Sequence, residues 1–260
     1  MTRARLGAYS VRQLIDYLRD RGIATTLITL LMGYLAVAPA RAMLHTQHVS
    51  PWAIAKYGSE AAARVAMAHD LSIEILSRML GAIVFLGALF AVNGIVSNDR
   101  KLGYYRFLFS KPMTPEHYYG QAFGVHSLGW LLLMTALGAV YGITLVPILT
   151  PSFLAGLSAV YLCYAGIGFL LSAAARWDWL SLVFVTVATQ VLRDRFGQSS
   201  SPLATLLALL PPLHKTNDVY RAVAEGVALP WHSVAWFGAY GAVCFAGGLL
   251  VLRYRRLAII

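Results

Sequence analysis

Residues 97–121 read SNDRKLGYYRFLFSKPMTPEHYYGQ and separate two long apolar runs. The first part, residues 99–110, predicts a short basic helix, because Asp99 stands at its start and Lys111 at its end, as the helix dipole favours. Pro112 ends that helix, since the residue before a proline is disfavoured in helical conformation. The stretch therefore predicts a basic element between two apolar helices.

A new helix is expected directly after this break. Thr114 suits the N-cap, Pro115 the first helical position and Glu116 the first turn. This helix would lead into the next apolar run.

The composition indicates an integral membrane protein. Of the 260 residues 58% are hydrophobic and 12% charged, whereas soluble domains are about 25% charged. The net charge of +10 comes mostly from basic residues that flank apolar runs, so nucleic acid is not an expected partner. Cys163 and Cys244 both fall in apolar runs, which indicates neither a disulfide framework nor a metal site.

The N-terminal segment predicts an amphipathic helix over residues 8–21. One stripe is apolar, at i, i+3, i+4 and i+7: Val11, Leu14, Ile15 and Leu18. The opposite face is charged: Arg12, Asp16, Arg19 and Asp20. We interpret it as a helix that lies at the cytoplasmic headgroups before the chain turns inward; the alternative is an ordinary juxtamembrane extension.

Apolar runs divide the rest of the chain into six expected spans. Residues 22–40 are uncharged and reach about 28 Å as a helix, enough to cross the hydrocarbon core. Residues 202–213 are apolar but too short to cross, and are broken by Pro211 and Pro212, so they predict a re-entrant segment. The expected parts of this single transmembrane domain are an interfacial helix 8–21, a first span 22–43, an outer loop 44–71, a second span 72–97, a basic cytoplasmic helix 98–113, a third span 114–146, a fourth 152–175, a fifth 177–193, outer or re-entrant helices 202–229 and a sixth span 234–253.

Six spans put both termini on the same side of the membrane. Counting Lys and Arg, the termini, the basic stretch and Arg176 hold 13 of the 21, and the other 8 are spread over longer loops. The positive-inside rule therefore places both termini in the cytoplasm. The fold class is an all-α membrane protein.

The sequence offers little catalytic chemistry. It contains no HExxH, no GxSxG and no P-loop motif, so we expect neither an enzyme nor an ATPase. The polar side chains deepest in the spans are Asn93, His126 and Gln190. They are candidates for a substrate path, and the alternative is hydrogen bonding to a neighbouring helix.

The pattern resembles the permease subunit of a type-2 ABC transporter. That family has an amphipathic N-terminal helix, six spans and a loop after the second span that reads acid-Arg-x-x-Gly, a hydrophobic run, then proline. The matching residues here are Asp99, Arg100 and Gly103, then Phe107, Leu108 and Phe109, then Pro112, with Gln121 near the family's next polar position. Tyr104 stands where the family often has threonine.

The resemblance implies that residues 99–110 form a coupling helix that docks on a cytoplasmic ATP-binding cassette ATPase. The docking residues would be Asp99, Arg100, Gly103, Tyr104, Arg106, Phe107, Phe109, Lys111 and Pro112. It also implies a second permease chain, identical or related, with ATP and Mg in the partner subunit and no cofactor in this chain. The alternative for the loop is that its aromatic residues lie at headgroup level while its basic residues bind anionic membrane lipid.

The expected function is therefore export of an apolar or amphipathic substrate across the bacterial cytoplasmic (inner) membrane. A different class of function remains open, namely a non-transporting anchor or scaffold subunit of a larger membrane complex. A membrane enzyme is the third alternative.

Overall fold

The computed structural model describes residues 3–45, 49–92, 95–96, 99, 114–144, 149–174, 178–196, 207 and 210–254. These residues form helices and connections, with no strand among them. The helices are α1 Arg3–Tyr17, α2 Ile23–Leu44, α3 Pro51–Tyr57, α4 Glu60–Val92, α5 Pro115–Thr144, α6 Pro151–Ala174, α7 Asp178–Phe196, α8 Thr216–Glu225 and α9 Trp231–Tyr254. A π-helical turn, Leu18–Gly22, joins α1 to α2, and a 3₁₀ turn, Leu213–Lys215, precedes α8.

Among the described residues, four helices are long and apolar enough to cross a membrane: α4, the Pro115–Val140 part of α5, α6 and α9. They correspond to the predicted second, third, fourth and sixth spans. The predicted first and fifth spans correspond to α2 and α7, and the total of six spans stays a prediction. The described residues confirm the all-helical fold, and their long apolar helices support membrane-spanning character.

Proline after a hydroxyl residue starts several of these helices. The Ser50 hydroxyl accepts a hydrogen bond from the Ala53 amide at 3.3 Å, and Thr150 accepts one from the Phe153 amide at 3.0 Å. The predicted start at Pro115 is confirmed, and the Thr114 carbonyl accepts from the Tyr118 amide at 3.1 Å. A side-chain cap satisfies an amide that the first turn leaves unpaired.

The predicted outer loop 44–71 is largely helical. It contains α3 and the first turns of α4, which begins at Glu60 and continues without interruption into the apolar part of that helix. Glu74 and Arg78, spaced i and i+4 on α4, form an ion pair at 2.6 Å.

The N-terminal helix is continuous with the first apolar helix. The π-helical turn keeps helical backbone angles on both sides, −58°/−50° at Tyr17 and −61°/−50° at Ile23, so α1 runs on into α2. Val11, Ile15 and Leu18 of the predicted apolar stripe are exposed at the surface of the protein, where a helix lying on the membrane would contact lipid. The face that packs against α5 carries Tyr17, which is buried. An added Cβ on Gly129 of α5 would clash with the Tyr17 ring, so the glycine makes room for it.

The centre of the molecule is the contact between α6 and α9. A Cβ on Gly166 would collide with the Gly241 carbonyl, and one on Gly241 with the Leu162 carbonyl, so the two backbones touch. Small residues permit this approach between membrane helices, where dispersion contacts rather than the hydrophobic effect drive association. Further along, Gly248 lies against Phe169. Residues later in α6 contact residues later in α9, so the two helices run parallel.

Helix α5 is antiparallel to both α4 and α6. Its Trp130 stacks on Tyr161 of α6 at 4.1 Å between ring centroids, and its Phe123 meets Phe169 further along α6. It is also antiparallel to α4, because Trp130 contacts Gly87 whereas the earlier residue His126 bonds to the carbonyl of the later residue Ala91. Since α6 and α9 are parallel, the chain between them has to return to the side from which α6 started.

The return is made by α7 and the segment around Leu213. Early in α7, Leu182 packs near Gly168, close to the end of α6. Later in α7, Arg193 donates to the Leu207 and Leu210 carbonyls at 2.9 and 2.8 Å. From there α8 continues along α4 and α6, with Tyr220 lying against Gly81.

Candidate functional site: a polar cleft beside Asp99

The structure describes only part of the predicted docking site. Asp99 is described, and its side chain is half-buried. The other docking residues lie outside the described residues: Arg100, Gly103, Tyr104, Arg106, Phe107, Phe109, Lys111 and Pro112. The substrate-path candidate Asn93 also lies outside them.

A cleft of about 270 Å³ opens beside Asp99. It lies between the N-terminal helix and α5, at the end of α4. One wall comes from α1 and the π-helical turn, with Gln13, Asp16, Tyr17, Asp20 and Arg21. The other comes from Ile95, Asp99 and the first part of α5, with Tyr118, Ala122 and His126.

Two side chains from other helices hold the carboxyl end of α4. The Arg21 guanidinium donates to the Phe90 carbonyl, and His126 Nδ1 donates to the Ala91 carbonyl at 2.8 Å. These carbonyls belong to the last described turn of α4, and carbonyl groups at a helix end generally lack the amide partner that a following turn would supply. A cation at a helix carboxyl end also interacts favourably with the helix dipole. Arg21 and His126 therefore cap α4 from outside.

The bond to Ala91 also fixes the tautomer of His126. A carbonyl oxygen can only accept, so Nδ1 must carry the hydrogen. This is the helix-to-helix bond that the sequence left open as the alternative for His126; its place on a substrate path stays a prediction. Gln190 is exposed on α7 and does not line this cleft.

Tyr17 forms the inner end of the cleft. Its side chain is 2% exposed, and its ring lies 5.0 Å from the His126 ring, centroid to centroid. Burial raises the pKa of Tyr17 to about 12, with Arg21 opposing, so the hydroxyl keeps its proton at neutral pH. Within the described part of the chain, neither this hydroxyl nor Gln13 Oε1 has a hydrogen-bond partner. Buried polar atoms of this kind normally find one.

Asp99 is held in place from α5. The Tyr119 hydroxyl donates to Asp99 Oδ2 at 3.2 Å, and Tyr119 itself is fully buried. Burial raises the pKa of the Asp99 carboxyl, and the hydrogen bond from Tyr119 opposes that rise. Nearby, Gln121 Nε2 donates to Ser10 Oγ at 2.7 Å and ties α1 to α5. The start of the predicted coupling helix thus shares a polar junction with α1, α4 and α5.

The chemistry of the cleft favours a cationic group over an anionic one. Asp16, Asp20 and Asp99 supply three carboxylates against the single guanidinium of Arg21 among the described lining residues. No cluster of three or more His, Cys, Asp or Glu suited to a metal ion occurs in the described residues. The cleft therefore presents oxygen acceptors and negative charge without a metal-type arrangement.

Sequence reasoning missed this cleft although a signal was present. Four lining residues follow one another at i, i+3, i+4 and i+7, the same helical spacing as the apolar stripe on α1: Gln13, Asp16, Tyr17 and Asp20. The contributions of Arg21 and His126 carry no such local signal, because they meet only through the tertiary contact with α4.

No protein-family model matches the chain, and no match is found among the curated proteins.

Proposed function

We propose that the chain is the membrane-spanning permease subunit of an ATP-driven transporter of the type-2 ABC class. The observation that carries the proposal is the order and direction of the helices. Helices α4, α6 and α9 run one way and α5 and α7 the other way. Helix α2 starts beside the end of α4 and packs along that helix. Helix α8 and residues 210–215 lie between α7 and α9 in the chain. This order supports six crossings with a partly re-entrant element before the last one.

The proposed topology places both termini on the cytoplasmic side. An even number of crossings and the excess of basic residues near the termini support it. The cleft and Asp99 then face the cytoplasm, at the end of α4 and the start of α5.

ATP would be hydrolysed by a separate cytoplasmic cassette ATPase that grips residues 99–110. The setting of Asp99 supports this coupling role. It is bonded to Tyr119 of α5 and lies beside the end of α4 that Arg21 and His126 cap. A displacement of a helix that begins at Asp99 would reach α4, α5 and the N-terminal helix together through these contacts.

The complete assembly would contain two permease chains and two ATPase subunits. ATP and Mg would bind in the partner subunits. The cargo would be an apolar or amphipathic molecule moved outward from the bacterial cytoplasmic membrane.

The test is purification of the tagged chain from its native membrane in mild detergent. We expect a P-loop protein in equal amount and ATP hydrolysis by the complex. Recovery of the chain with redox or structural subunits, and without ATPase activity, would instead support the anchor or scaffold function.

A charge-reversing double substitution tests the docking surface. Arg106→Glu with Phe107→Asp is expected to abolish ATPase recovery and ATP-dependent transport while membrane insertion is retained, because aromatic and arginine residues dominate protein interfaces. The matched control is Arg195→Glu with Phe196→Asp, the same residue pair at the exposed end of α7. If the double variant keeps full ATP-dependent activity, the docking assignment is wrong.

A further inference from the structure

The cleft lies where α4 ends and α5 begins, which for membrane-spanning helices corresponds to the depth of the polar headgroups. The apolar helix α4 ends at Val92, and the cleft walls include Ile95 and Asp99 just beyond it. The apolar helix α5 begins at Pro115, and its wall residues start at Tyr118. The mouth of the cleft is therefore at the boundary between the apolar and aqueous regions.

The charges in the cleft are unbalanced. None of Asp16, Asp20 and Asp99 has a salt-bridge partner among the described residues. Arg21, whose Nη1 donates to the neutral Phe90 carbonyl, interacts with Asp20 and offsets one of the three negative charges, so two stay uncompensated among the described residues. Although the chain carries a net charge of +10, a local excess of carboxylates in a concave site attracts a cation.

Two unpartnered oxygens specify the kind of cation. Tyr17 and Gln13 both line the cleft, and within the described structure neither the buried Tyr17 hydroxyl nor Gln13 Oε1 has a hydrogen-bond partner. A primary ammonium carries three N–H donors and no acceptor, which matches a set of carboxylate, amide and phenol oxygens. Water could satisfy the oxygens but would leave the carboxylates uncompensated.

We propose that this cleft binds a primary ammonium group, and that the group belongs to the headgroup of an aminophospholipid. The lipid source follows from the flanking charges. Arg12 on α1, four residues before Asp16, and Arg19 in the π-helical turn, three residues after it, are both exposed and suit the phosphate that adjoins the ammonium. The volume of about 270 Å³ fits a headgroup better than a whole drug-sized ligand, for which sites are usually larger. This inference requires the chain to be embedded in a membrane and does not depend on ATP-driven transport.

The experiment measures which lipid the purified chain retains. The full chain is mixed with equal amounts of phosphatidylethanolamine and phosphatidylcholine in detergent, and bound lipid is counted by native mass spectrometry. We expect the ethanolamine lipid to be retained in preference, because the choline headgroup has no N–H to donate. Asp16→Asn with Asp20→Asn should reduce that preference about tenfold, and Tyr17→Phe, which leaves all charges in place, should reduce it less.

The matched control is Asp70→Asn with Asp218→Asn, which removes the same charge from exposed positions elsewhere. It should keep the wild-type preference. Monodispersity of each variant in size-exclusion chromatography separates loss of the site from loss of the fold.

Free propylammonium distinguishes the two sources of the ammonium group. Displacement of retained phosphatidylethanolamine by propylammonium supports the proposal. Binding of propylammonium without any lipid preference would overturn the lipid assignment, and binding of neither probe would show that the cleft holds only water. Because no ATPase takes part, these outcomes are independent of the permease proposal.

Discussion

Two helix contacts in this molecule are built in opposite ways. Where α6 meets α9, the backbones touch through Gly166 and Gly241, and the contact is apolar. Where α1 meets α5, a tyrosine covers Gly129, a serine bonds to a glutamine, and a polar cleft remains open. The first contact resists any displacement because packed backbones have no room to move. The second can change its geometry with less penalty, and it adjoins the start of the predicted coupling helix.

The largest effect is expected from Gly241→Leu, which tests the rigid contact between α6 and α9. A side chain there would collide with the α6 backbone, which cannot rotate away, so we expect destabilisation above about 3 kcal/mol and loss of monodisperse protein. The control is Gly238→Leu on the same helix, where an added Cβ meets no atom within 4 Å. The measurement is recovery and thermal unfolding in detergent. Equal behaviour of the two variants would contradict the rigid contact.

Removal of the cap on α4 should have the next largest effect. Arg21→Met keeps much of the side-chain volume but leaves the Phe90 carbonyl without its charged partner, which costs about 2 kcal/mol for a bond of this kind. Arg19→Met, an exposed arginine in the same π-helical turn, is the control. Thermal melting of both variants measures the difference. An Arg21→Met variant that melts like the wild type would mean that the cap contributes nothing to stability.

A methyl group beneath Tyr17 tests the adaptable contact. Gly129→Ala forces the ring outward, and we expect a loss of about 1–2 kcal/mol, since overpacking is partly offset by the better helix propensity of alanine. Gly124→Ala on the same helix meets nothing within 4 Å and should be neutral or slightly stabilising. Faster proteolysis within α1 in Gly129→Ala alone would show that the helix has undocked. Unchanged proteolysis would contradict the assigned packing.

The sequence predicted where the helices start better than which of their faces pack against one another. Starts such as Pro115 follow from local rules for hydroxyl caps and proline, and the Glu74–Arg78 pair follows from helical spacing. Local periodicity does not tell which face of α1 packs against protein, because the helix has both an apolar and a polar stripe. Gly129, more than a hundred residues away, selects the face that carries Tyr17.

The candidate site shows the same limit. Asp99 and His126 were singled out separately, one as a helix start and the other as a polar group within a span. Their common cleft depends on the end of α4, where Arg21 and His126 meet consecutive carbonyls. A sequence without its tertiary contacts does not say which carbonyls a helix end leaves unpaired or which side chains reach them.

The smallest expected effect concerns the pH dependence of the cleft. Burial raises the pKa of Asp99 in the folded chain above its value in the unfolded chain. The folded state therefore binds the proton more tightly, and ionised Asp99 weakens the fold at neutral pH. This penalty disappears as the pH falls through the raised folded pKa. Asp99→Asn removes the charge and still offers an oxygen to the Tyr119 hydroxyl. We expect the variant to melt at a higher temperature than the wild type at pH 8, and the difference to shrink towards pH 4. A variant that is less stable than the wild type at pH 8 would mean that the carboxylate is compensated by a bound cation, and the comparison repeated with and without phosphatidylethanolamine would then identify that cation.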